Sequence, residues 1–232
     1  MIQQAIPNQR AVSGYSPTIA HVAPFAVFVG IMAAEHALSV PPEIGYPIRV
    51  AVTLTVVLLF SRAYIPRRPS LPALSIGIGL AVFALWVAPD LLFGYRHSWL
   101  FENALTGKAA SVLAPGLKND RLFLALRIAG STLVVPIIEE LFWRSWMMRW
   151  LIDKDFLAVP ASTYSAGAFW ITAVLFASEH GAYWEVGLAA GIVYNWWFIR
   201  TRNLADCILA HCVTNGVLAI YVLAAGQWQY WL

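Results

Sequence analysis

Long apolar runs joined by short polar connections make up most of this chain. They cover residues 18–38, 48–65, 71–93, 122–148, 165–182, 184–199 and 203–225. A helix needs about 20 predominantly apolar residues to cross the roughly 30 Å hydrocarbon core of a bilayer. The pattern therefore predicts an all-α, polytopic membrane helix bundle of seven spans, with an eighth if the 94–120 region dips into the bilayer. The runs follow one another closely, so residues 1–232 read as a single integral membrane domain.

Composition agrees and adds an orientation. Of the 232 residues, 60% are hydrophobic and 12% charged, about half the charged fraction of a typical soluble domain. The mean hydropathy is +0.67 and the pI about 9.0. A net charge of +3 in such a chain reflects basic connections facing anionic lipid and argues against a nucleic-acid partner. Arg10, Arg62, Arg67, Arg68, Arg149, Lys154, Arg200 and Arg202 fall on one side of a seven-span arrangement, which the positive-inside rule makes cytoplasmic along with the N-terminus. Arg96, Lys108 and Lys118 oppose this, but they lie in a long connection that also holds Glu102. The opening MIQQAIPNQR lacks the basic, apolar, small-residue order of a cleavable signal peptide. Trp196 and Trp197, at a span end, fit an interfacial belt. Gly77, Gly79, Gly187 and Gly191 suit close helix packing. Cys207 and Cys212 are separated by a helical rise of about 7.5 Å, too far for an unstrained disulfide.

Against this apolar background the stretch from Pro136 to Trp150, PIIEELFWRSWMMRW, stands out. An ionisable group at the centre of a membrane helix costs about 2.5 to 3.5 kcal/mol on the insertion scale, so Glu139, Glu140 and Arg144 together point to a site. Glu140 and Arg144 are four apart, with the acid N-terminal to the base, and can pair within one helix. Glu139 is rotated about 100° away and has no local cation. One carboxylate is structural and the other is free. Two later runs carry polar residues at the same spacing: Phe176 and His180 in FASEH, and His211 and Asn215 in HCVTN. Each pair shares a helix face.

The ordered set E-E-x-x-x-R, F-x-x-x-H and H-x-x-x-N on successive membrane helices resembles the CAAX protease and bacteriocin-processing family of intramembrane endopeptidases, which includes the type II CAAX prenyl endopeptidases. The resemblance covers about residues 121–220, the expected protease core. It implies that Glu139 and His180 hold and activate the attacking water, while His211 and Asn215 stabilise the oxyanion. Glu140 and Arg144 would be the supporting pair, with Phe176 packed beneath His180. The chain departs from the pattern at Ser145, where many members have Gly, and at the acidic Glu179 before the His. The segment WEVGLAAGIVYN with the E-H pair is similar to a bacterial branch associated with exosortase systems. That resemblance implies a multi-pass protein of the bacterial cytoplasmic membrane with a functional link to such a system.

The chemistry is coherent on its own terms. Desolvation favours the neutral carboxyl, which suits a group that must take a proton from water and then hand it to a leaving amine. The partners implied are membrane lipid and a membrane-associated protein or peptide substrate. No cofactor is expected. Zinc is the alternative, disfavoured because Glu140 is held by Arg144, Asn215 is a poor zinc ligand, and there is no H-E-x-x-H. A non-proteolytic immunity factor or scaffold with the same fold is the competing function. Glu35, His36, Asp90, Asn195 and Asp206 read as helix-end or interhelical contacts, with Asp206 and His21 close enough to span ends to be solvated. Counting along the spans puts Glu139 and His180 at different depths. They meet only if the fourth helix bends near Pro136, or if Gly181 and its neighbours are sunk into a chamber.

Overall fold

A computed structural model describes residues 15–111 and 113–231 of the chain; the expectations for Arg10 and for the absence of a leader lie outside them. Seven long helices follow in order: α1 Pro17–Ala37, α2 Pro42–Tyr64, α3 Pro72–Phe93, α4 Arg121–Trp150, α5 Ala166–Ser178, α6 Trp184–Thr201 and α7 Leu204–Ala225. Among the described residues the only β pairing is an isolated bridge between Asn103 and Gly107. The chain is thus an all-helical, multi-pass membrane protein.

Every predicted span is helical, but only α1, α2, α3, α4 and α7 are long and apolar enough to cross a membrane. α5 has 13 residues, about 20 Å of helix, against a hydrocarbon core of roughly 30 Å. α6 has 18 residues but carries Glu185, Asn195 and Arg200 among them. The expected eighth span is absent from the described part of 94–120, which forms turns and one short 3₁₀ segment, Leu117–Asn119.

Local chemistry sets the helix ends. Pro17, Pro42 and Pro72 occupy first-turn positions, where the missing N–H costs nothing. The Asp120 carboxylate caps α4 by accepting from Leu122 and Phe123 N–H at 3.0 Å each, and Asn203 caps α7 through Ala205 N–H at 3.0 Å.

α4 departs from α geometry twice, in π-helical turns at Gly130–Val134 and Leu141–Met147 on either side of Val135–Glu140. The first has a cause in Pro136. Val135 N–H bonds to the Gly130 carbonyl, and proline has no N–H to offer Ser131, so the ladder widens around it. Gly130 is required here, because a Cβ would overlap the Tyr46 hydroxyl.

α3 packs on α7 through Gly79, whose Cβ would run into the Ala210 carbonyl and lie 2.7 Å from Val213 Cβ. Gly191 lets α6 approach α5 in the same way, with Phe176 and Ala173 within 3.2–3.3 Å of the Cβ position. A Cβ at Gly77 would meet nothing within 4 Å, so no close packing there depends on glycine. Both cysteines are free.

Other expectations are overturned by burial. Asp206 is buried, not solvated: it accepts from Ser70 N–H (3.0 Å), Leu71 N–H (2.8 Å) and Ser75 Oγ (2.9 Å), tying the start of α7 to the start of α3. His21 is buried against Tyr64 and Phe156, with Nδ1 donating to the Pro17 carbonyl at 2.7 Å. Trp197 is a core residue donating to Ser75 Oγ at 3.2 Å, while Trp196 remains exposed. Glu35 pairs with Arg49 at 3.4 Å, as an interhelical contact should.

The connection after α3 is anchored over the turn between α5 and α6. Buried Arg96 bridges Asp90 (3.4 Å) and Glu185 (2.8 Å) and donates to the Ala182 carbonyl at 2.7 Å. Glu102 accepts from Ala109 N–H at 2.8 Å, which holds its pKa below the usual carboxylate range. The Thr106 carbonyl lies 2.8 Å from where a Cβ on Gly181 would be, so this turn, with Gly181 at φ +52°, takes only glycine.

Candidate active site

Polar residues of α4, the α5–α6 turn and α7 converge on one cavity of about 390 Å³ whose lining includes Glu139, His180, His211 and Asn215. The depth mismatch counted along the sequence disappears because α5 is short. It ends at Ser178, so His180 lies in the turn to α6 and not at the far end of a full span. The kinked α4 brings Glu139 to the same cavity.

Glu140 and Arg144 are both fully buried and pair at 3.1 Å. Arg144 Nε also donates to Asn195 Oδ1 at 3.1 Å, and its guanidinium lies 4.3 Å from the Phe176 ring centroid. Asn195 in turn donates to the Phe169 carbonyl at 2.9 Å. This cluster ties α4, α5 and α6 together in an apolar core, where an unpaired charge would be costly.

Glu140 has a second task that its spacing from Arg144 does not disclose. Its Oε1 also lies 2.8 Å from His211 Nδ1. A carboxylate only accepts, so Nδ1 carries the hydrogen and Nε2 faces away from Glu140. His211 Nε2 lies 3.9 Å from Glu139 Oε2. Tyr194 stacks on the imidazole at 5.0 Å, its own hydroxyl held by Thr214 at 2.7 Å. Glu140 thus holds one side of His211, while Glu139 faces the other without a hydrogen bond. Glu139 Oε2 is buried and has no hydrogen-bond partner among the described residues, so that oxygen is open to a water or a substrate proton.

His180 is oriented by its own helix end. Its Nδ1 donates to the Phe176 carbonyl at 2.8 Å, and its ring contacts Phe176 at 4.7 Å and Trp86 at 5.2 Å. Gly187 leaves room for it, since a Cβ there would sit 3.0 Å from Nδ1. Nε2 is the nitrogen left for chemistry.

Asn215 is fixed by the distortion of α4. Its Nδ2 donates at 2.9 Å to the Ser131 carbonyl, the group that Pro136 leaves without a helical donor. One amide hydrogen remains.

Three features escaped the sequence pattern: the Glu140–His211 contact, Asn195 as the second partner of Arg144, and Glu179, which lines the same cavity. The first two link residues far apart in the chain. Glu179 was visible only as a charge next to a site histidine. Among the described residues no three His, Cys, Asp or Glu side chains are placed to hold a metal ion together.

Residues 121–217 match the model of the family described as type II CAAX prenyl endopeptidase Rce1-like, so this part of the chain is similar to that family. The matched segment runs from the start of α4 into α7 and includes Glu139, Glu140, Arg144, His180, His211 and Asn215. Neither the curated proteins nor the solved structures give a match.

Proposed function

We propose, on that family match and on the arrangement of the cavity, that the chain is an intramembrane endopeptidase that hydrolyses a peptide bond of a membrane-associated protein or peptide. Water binds against Glu139 Oε2, with its second hydrogen accepted by His180 Nε2. Glu139 takes a proton as the water oxygen attacks the carbonyl carbon. The C–N bond of the tetrahedral intermediate then breaks as the same proton passes to the leaving amine, returning Glu139 to its starting state.

The oxyanion is met by the remaining Asn215 amide hydrogen and by His211. For His211 to donate from Nε2 it must be an imidazolium, because Nδ1–H is already directed at Glu140. Each preorganised donor in such a site contributes about 3 to 4 kcal/mol to barrier lowering. Glu140 and Arg144 serve as positioning residues, one for His211 and the other for Glu140.

The observation that carries this reading is the split between the two adjacent glutamates. Glu140 is locked by Arg144 and His211, while Glu139 keeps a buried oxygen free in the cavity, 3.9 Å from His211. A purely structural cluster has no need of the second carboxylate. No metal enters any step, and the basic connections support an N-terminus in the cytoplasm.

The test is hydrolysis in ¹⁸O-labelled water by the purified protein in liposomes, offered a library of membrane-anchored peptides. One ¹⁸O atom should appear in the new carboxylate of the N-terminal fragment. Absence of any cleavage by well-folded protein, or fragments without the label, would overturn the proposal.

A further inference from the structure

The cavity carries a second carboxylate that no step of the hydrolysis uses. Glu179 immediately precedes His180, lines the same cavity as Glu139, and is exposed, so it stands at the cavity edge. It is nevertheless held in place. Trp143 Nε1 donates to its Oε2 at 3.2 Å, and Trp143 is itself buried, edge-on to Phe25, Phe142 and Phe176. Trp143 lies one turn beyond Glu139 on α4, so the indole ties Glu179 to the reacting group on one side as the chain ties it to His180 on the other.

Among the described residues no hydrogen bond reaches Glu179 Oε1, and no Lys, Arg or His lies within 4.0 Å of the carboxylate. Arg144 is directed at Glu140 and Asn195, and Arg49, which lines the cavity, pairs with Glu35 at 3.4 Å. A buried indole N–H needs an acceptor, but a neutral carbonyl or amide would serve. A charge in that place, with one oxygen fixed and the other open, is a recognition group for a cation.

We infer that Glu179 forms a cationic subsite, selecting peptides with a lysine or arginine side chain beside the scissile bond. This rests on the endopeptidase reading for its location, but it is measurable without turnover. The probes are short apolar peptides labelled with fluorescein and identical except for one central residue: lysine, norleucine or glutamate. Binding is read by anisotropy on Glu139→Gln protein in nanodiscs, where no cleavage occurs.

The lysine peptide should bind at least about tenfold more tightly than the norleucine peptide, as one charge-assisted hydrogen bond allows. Adding Glu179→Gln, which keeps an acceptor for Trp143, should erase that ratio, and Glu179→Lys should favour the glutamate peptide. A lysine preference that survives Glu179→Gln, or no preference at all, overturns the inference. The same peptides are then offered to the unsubstituted protein. Selective binding without cleavage would sustain the subsite and refute the protease reading, whereas cleavage indifferent to lysine would do the reverse.

Discussion

Neutralising Glu140 tests the architecture of the site without requiring a substrate. Its carboxylate and the Arg144 guanidinium are both fully buried and 3.1 Å apart. At that distance and an effective dielectric of about 20, their attraction is about 5 kcal/mol before desolvation is counted. Desolvation offsets most of this in the intact pair. Removing one partner leaves the other charge buried, which costs about 3 to 5 kcal/mol. Glu140→Gln should therefore lose about that much stability, a large share of a typical folding free energy of roughly 5 to 15 kcal/mol.

Arg144→Met should be similarly damaging, because Glu140 then faces His211 without its guanidinium. The Glu140→Gln, Arg144→Met double variant carries neither stranded charge and should lose about 2 to 3 kcal/mol less than the sum of the two single losses. Unfolding of detergent-solubilised protein, followed by tryptophan fluorescence, measures all three. Activity should not return in the double variant, since His211 has lost its carboxylate. Additive losses, or a Glu140→Gln protein as stable as its parent, would refute the paired-charge reasoning.

Gly187→Ala places a methyl 3.0 Å from His180 Nδ1 and should reduce kcat through a displaced imidazole while leaving the unfolding midpoint nearly unchanged. Asn215→Ala should lower kcat by about 100- to 1,000-fold through the lost oxyanion donor, with KM little altered. Activity should persist after chelation; loss on chelation with recovery specifically by one equivalent of zinc would show a metal mechanism. Because Glu102 has a depressed pKa, its hold on Ala109 is fully present above the ordinary glutamate value of about 4.3 and is lost as pH falls through its lower folded value. Amide exchange at Ala109, corrected for intrinsic pH dependence, should accelerate only in that acid range.

How much of this was legible in the chain differs between fold and site. The apolar runs located all seven helices, because hydrophobic length is a local property. Among the described residues five of them are long and apolar enough to cross a membrane, whereas α5 stops at Ser178 and α6 is diluted by Glu185, Asn195 and Arg200. The Glu140–Arg144 pair was readable because four-residue spacing fixes a shared helix face. The Glu140–His211 contact was not, since it depends on how α7 packs on α4. Pro136 announced a distortion, but nothing local indicated that the freed Ser131 carbonyl would anchor Asn215. The buried states of Asp206 and His21 were missed for the same reason: their partners come from the α2–α3 connection and from the chain around Phe156.

The most direct measurement is the turnover of Glu139→Gln per folded molecule on any peptide that the unsubstituted protein cleaves. The substitution preserves the shape of the side chain and removes the proton acceptor. Because Glu139 is not part of the Glu140–Arg144 pair, the variant should fold as well as its parent. Turnover should fall by about 100- to 10,000-fold, the contribution expected of a positioned general base. A Glu139→Gln protein that cleaves at the parental rate would show that the water is activated elsewhere.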